Sequence, residues 1–151
     1  MTSVRIAGDA LFRFRRAMKL YLREPNSVHA IALVQAIGGA PMLTALHRLE
    51  MKAAIGQKLG CAEITASERD ALLVDFENDI ATGVFAETDP SWPGVFAHAE
   101  MLVATYTSMN FCRSLDTLRV ALALELGATE FCTFDLRQAA MAIAAGLVVV
   151  P

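Results

Sequence analysis

Apolar positions along the chain follow two spacings. Stretches with apolar residues three and four apart, the mark of one helix face, alternate with short continuous apolar pieces of strand length. From the amino end, residues 4–7 form a first strand-like piece, and a helical pattern covers 11–22 until Glu24-Pro25-Asn26 ends it. Ser27 is a good N-cap for a helix to Ile37, which Gly38-Gly39 stops. Residues 40–43 read as a short strand, and Thr44 can cap a helix over 45–55 that Gly56 closes. Ser67-Glu68-Arg69-Asp70 resembles a capping box, with Asp in place of the usual Glu or Gln, and opens a helix to Ala81. A weak strand over 83–86 follows. Ser91-Trp92-Pro93 begins a helix that reaches Tyr106, with Ser91 as cap and Pro93 in the first turn. Helix 115–126 stops at Gly127; strand 130–133, an Ala-rich helix over 136–145 and a final strand over 147–150 complete the chain. Short strands alternating with longer helices predict an α/β fold with a mainly parallel sheet.

Composition narrows this picture. The chain has 151 residues, the size of one domain with a full core, and shows no repeat, linker or low-complexity segment. Its apolar fraction is 55% and its mean hydropathy +0.44, yet the longest apolar run, 139–150, is too short for a bilayer. That excess predicts a sheet covered on both faces or a large dimer interface. Cys61, Cys112 and Cys132 are widely spaced with no CxxC pair, which predicts reduced, mostly buried thiols in a cytoplasmic protein and no zinc site. The start is Arg-rich and has no signal-peptide core. The net charge of −3 gives no bulk attraction to nucleic acid. Arg5, Arg13, Arg15, Arg16, Lys19 and Arg23 nonetheless concentrate six of the 13 basic residues in the first 23 positions. That cluster reads as a solvated helix face or as a phosphate-binding one.

The candidate chemistry is acidic. Asp116 opens a helix after Ser114, and Asp135 lies just past the carboxyl end of a strand. In a parallel α/β sheet that is where ligands bind. Glu50 stands mid-helix among Leu46, Leu49, Ala53 and Ala54, either at the edge of an amphipathic helix or as a third ligand. Acids clustered in one cleft repel one another and stay ionised only beside a cation. Mg²⁺ or Mn²⁺ suits oxygen donors, and a metal-bound water attacks phosphodiesters. Thr133 offers a hydroxyl next to Asp135, and Arg113, Arg119 and Arg137 are candidates for phosphate contacts or plain surface cations. His29, His47 and His98 share no metal-ligand spacing. No G-x-S-x-G, P-loop or G-x-G-x-x-G motif occurs.

Arg113-Ser-Leu-Asp116-Thr-Leu-Arg-Val-Ala-Leu-Ala, followed by Gly127-Ala-Thr-Glu-Phe-Cys-Thr133-Phe-Asp135, resembles the carboxyl half of PIN-domain proteins, and most of all VapC-like toxins of type II toxin–antitoxin pairs. Thr44-Ala-Leu-His-Arg-Leu-Glu50-Met-Lys-Ala-Ala resembles the family's second acidic motif, and Lys19-Leu-Tyr-Leu-Arg-Glu-Pro-Asn-Ser the end of its first helix. The resemblance covers about residues 17–151. It implies a single PIN-like domain, a three-layer α/β/α fold with a central, mainly parallel sheet. It implies a Mg²⁺- or Mn²⁺-dependent endoribonuclease, homodimeric and neutralised by a cognate antitoxin. Glu50, Asp116 and Asp135 map onto family acids, and Thr133 onto the adjacent hydroxyl.

Two departures stand out. Arg119 occupies a position where many members have His. The family's first acid aligns with Arg13, inside Phe-Arg-Phe-Arg-Arg, so residues 1–16 are atypical. Either Asp9 serves as that acid, with a helix longer by about one turn of 3.6 residues, or the amino end is read out of frame. An incomplete acid set leaves the alternative of a PIN-like binding or dimerisation module with an impaired site. An unrelated small α/β binding domain is a third class.

Overall fold

The computed structural model describes residues 40–133 and 135–150. These divide between Thr88 and Asp89 into two compact units. The expected elements at 4–7, 11–22 and 27–37, and Asp9 with them, lie outside the described residues.

The first unit contains β1 (Met42–Leu43), α1 (Ala45–Gly60), α2 (Ala66–Ala81) and β2 (Ala86–Glu87). Thr44 caps α1 as its sequence position suggests, in a reciprocal arrangement with His47 at the third helical position. The Thr44 hydroxyl accepts from the His47 N–H, and His47 Nδ1 accepts from the Thr44 N–H at 3.2 Å. Gly56 does not end the helix. A side chain added there would meet nothing within 4 Å, so it lies on the open side and the ladder continues to Gly60. The turn out of α1 comes at Ala62, whose φ of 55° is left-handed.

The cap of α2 is Thr65 rather than Ser67. Thr65-x-x-Glu68 places a true Glu at the third position, where its carboxylate accepts the Thr65 N–H at 2.7 Å while Glu68 N–H donates to the Thr65 hydroxyl. Leu43, Met51, Ile55, Leu72, Phe76 and Phe85 form the core of this unit. The rings of Phe76 and Phe85 meet edge to face at 5.7 Å.

The second unit contains α3 (Trp92–Asn110), α4 (Ser114–Glu125), β3 (Glu130–Cys132), α5 (Leu136–Ala144) and β4 (Val148–Val150). Ser91 caps α3 and Pro93 sits in its first turn, as expected, but the helix continues beyond Tyr106 to Asn110. Helix α3 packs on α4 and α5. Val95, Leu102, Val120, Ala121, Leu122, Ala123, Met141 and Ala142 are buried. Gly127 and Gly146 take φ values of +68° and +91° at the turns that follow α4 and α5. Strands β3 and β4 pair in parallel from Glu130↔Val148 to Cys132↔Val150, with α5 as the crossover.

These elements correct the expected three-layer α/β/α architecture. The described residues are mostly helical, and their strands form two separate two-stranded pieces, β1–β2 and β3–β4, with no central sheet. Much of what reads as strand is used as turn. Residues 83 and 84 close α2, with the Gly83 N–H bonded to the Ile80 carbonyl and the Val84 N–H to the Asp79 carbonyl at 2.9 Å. The short pairing that remains runs Met42↔Ala86 and Leu43↔Glu87. None of the described helices is long and apolar enough to cross a membrane.

Candidate functional site

Asp116 stands in the first turn of α4, where free backbone N–H groups and the helix dipole favour a negative charge. Its side chain is about one quarter exposed, at 24%. Its Oδ1 accepts from Arg119 Nη1 at 3.0 Å, one helical turn on. Arg119, read from sequence as a phosphate candidate, is thus engaged with an acid of its own helix.

Asp135 is the N-cap of α5. Its Oδ1 accepts from the N–H groups of Arg137 and Gln138 at 2.8 and 2.9 Å. The Gln138 N–H is the largest cause of a carboxyl held below the usual range. Desolvation opposes it, and the Arg137 N–H and the charges of Arg137 and Arg113 reinforce it.

Between these acids lies a link. Thr133, buried at the end of β3, donates to Gln138 Oε1 at 2.7 Å and accepts from the Asp135 N–H at 3.1 Å. Gln138 Nε2 donates to the Asp116 carbonyl at 3.1 Å. Gln138 is fully buried. A polar side chain is costly there unless both ends of its amide are bonded, as they are.

Asp116 and Asp135 line one cleft of about 460 Å³ together with Cys112, Arg113, Leu136 and Arg137. Burial pushes the Cys112 thiol up. The Thr117 hydroxyl opposes that shift, and the charges of Asp116 and Asp135 add to it, so Cys112 is a neutral neighbour rather than a thiolate. Arg113 and Arg137 are exposed at the cleft. Cys112 is buried and Cys61 is exposed.

Of the residues singled out from sequence, Asp116, Asp135 and Thr133 come together. Glu50 lies on α1, in the other unit, half-buried beside the stripe of Leu46, His47, Met51 and Ile55. Its neighbour Leu49 is 64% exposed, so the apolar residues around Glu50 are only partly core. His47 caps its helix, and His98 pairs with Glu125 at 3.4 Å. Among the described residues, no group of three or more His, Cys, Asp or Glu is placed to hold a metal ion.

The two-acid pair nevertheless has the donor chemistry of a hard cation. Both are carboxylates, and among the described residues the Oδ2 of each receives no hydrogen bond. Mg²⁺ is commonly held by one or two carboxylates, with waters and substrate phosphate completing its shell.

Gln138 and Cys112 escape a sequence reading. Gln138 carries one usable signal. It falls three and four residues before Met141 and Ala142, on the apolar stripe of its helix, where a polar residue must have internal partners. Compared with protein-family models, curated proteins and solved structures, the chain finds no match in any of the three.

Proposed function

We propose that the chain is a divalent-metal-dependent endoribonuclease whose chemistry centres on Asp116 and Asp135. The observation that carries this reading is the cleft itself. It sets two carboxylates, each with an Oδ2 that accepts no hydrogen bond among the described residues, beside the exposed Arg113 and Arg137. Asp116 and Asp135 bind Mg²⁺ or Mn²⁺, with waters and substrate phosphate completing the shell. When bound, such an ion activates water and stabilises charge in phosphodiester hydrolysis. Arg113 and Arg137 hold the phosphate with charge-assisted bonds. Thr133 fixes the backbone of Asp135 through the bond from its N–H.

With the sequence resemblance, this activity is that of a VapC-like toxin acting on RNA and neutralised by a cognate antitoxin. An apolar groove of about 530 Å³ between α3 and α4, with Phe96, Val103 and Leu115 along it, supports a homodimer.

A second reading is a binding module with an impaired site. It is favoured by the pairing of Asp116 with Arg119, which offsets the charge a cation would meet. One comparison separates the two. Purified protein is incubated with structured RNA and Mg²⁺ or Mn²⁺, beside an Asp116→Asn variant. The nuclease reading expects metal-dependent cleavage that falls by at least about 10²-fold in the variant, the scale of losing one preorganised electrostatic contact. Cleavage absent from both proteins favours the binding module; cleavage unchanged by the substitution removes Asp116 from the chemistry.

A further inference from the structure

Gln138 is hydrogen-bonded to both acid-bearing segments, and its hydrogen bonds allow one arrangement. The Asp116 carbonyl can only accept, so the amide must present Nε2 to it. Oε1 then faces Thr133, which obliges the Thr133 hydroxyl to donate. That leaves a Thr133 lone pair for the Asp135 N–H. The Gln138 N–H closes the circuit on Asp135 Oδ1. Every polar atom of the circuit has a directional partner, and Gln138 and Thr133 are buried at 0% and 5% exposure. Such a network is strong when complete and costly when broken, because solvent cannot replace the lost partner.

We infer that Gln138 is the positioning residue that fixes Asp116 and Asp135 relative to each other, and that it thereby sets the affinity of their cleft for a divalent cation. The inference rests on the metal-dependent reading above. Groups that orient metal-binding side chains commonly change metal affinity by 10–100-fold when removed. Here the lever is geometric. Gln138 ties the first turn of α4 to the cap of α5 and engages only Oδ1 of Asp135, while Oδ2 accepts no hydrogen bond among the described residues.

The test measures Mn²⁺ binding directly, by the loss of the free-ion electron paramagnetic resonance signal, on the full chain and on three variants. Gln138→Met keeps the length and removes both hydrogen bonds. It is expected to weaken Mn²⁺ binding by roughly 10-fold or more and to raise the Mn²⁺ needed for half-maximal RNA cleavage by the same factor. The rate at saturating Mn²⁺ changes less. Gln138→Glu keeps the acceptor toward Thr133 but can donate to the Asp116 carbonyl only when protonated. Its binding relative to the native chain therefore recovers as pH falls, a dependence that Gln138→Met lacks.

Thr133→Val breaks the same circuit at its other end and decides the matter if Gln138→Met fails to fold. It too is expected to weaken Mn²⁺ binding. A folded Gln138→Met, or in its absence Thr133→Val, that binds Mn²⁺ as the native chain does overturns the positioning role. The metal reading then still stands if Asp116→Asn loses the ion. A native chain that binds no Mn²⁺ overturns both.

Discussion

Asp135 is the N-cap of α5 and, in the proposed function, a metal ligand, and single substitutions separate the two. As N-cap it needs only an oxygen that accepts from the Arg137 and Gln138 N–H groups, and Asn caps helices about as well as Asp. As a metal ligand it needs the charge. Asp135→Asn is therefore expected to melt close to the native temperature while losing metal-dependent cleavage, whereas Asp135→Ala loses both. Thermal melts beside cleavage assays check this, and an Asn variant with full cleavage would reduce Asp135 to a cap. The pH dependence follows from the same bonds. The folded carboxyl is depressed below its unfolded value, so its stabilising contribution is present above the unfolded value and is lost as pH falls through the folded one. Asp116, Thr133 and Asp135 are legible in sequence because strand ends and helix starts are marked by local signals. Gln138 is not, because its partners lie five and 22 residues away and only folding brings them to it.

At the scale of elements, helix α2 shows what local signals settle and what they miss. A Ser67 start is displaced by Thr65, since only the latter has a Glu three residues on that can return its hydrogen bond. The helix also carries an acid on its inner side. Asp79 is 6% exposed, and burial, with the charge of Asp75 one turn earlier, raises its carboxyl above the usual value. A raised acid reverses the ordinary carboxylate case, because the folded chain binds the proton more tightly than the unfolded chain. The destabilisation is absent below the unfolded value, grows as pH rises toward the folded value and is complete above it. Asp79→Asn, which removes the charge and keeps the shape, is expected to melt above the native chain near neutral pH. The gap should close in strongly acid solution. Melting curves across pH check both the sign and the closure; a variant less stable than the native chain at neutral pH would show that the ionised carboxylate is stabilising.

For the whole molecule, helices were readable because periodicity and caps lie within each segment, whereas the expected sheet depended on pairings between distant segments. Among the described residues, strand-like pieces of two or three paired residues satisfy the sequence pattern without joining into one sheet. Charge is the other property that acts at this scale. A chain of net charge −3 has no global attraction for RNA, so the proposed function needs local cations, and the described cleft offers a few. At the described cleft Arg119 is paired with Asp116, and Arg113 and Arg137 are the exposed cations that line it. For single strands, each neutralised phosphate contributes about 0.7 to the slope of log affinity against log salt, so two contacts give a slope of about −1.4. Arg113→Gln and Arg137→Gln are each expected to lower it by about 0.7, with an additive loss in the double variant. The measurement is RNA binding across a salt series without divalent cation, so that cleavage does not consume the ligand. A steeper slope that neither substitution changes would place the RNA on other basic residues and remove the cleft arginines from the phosphate-binding role.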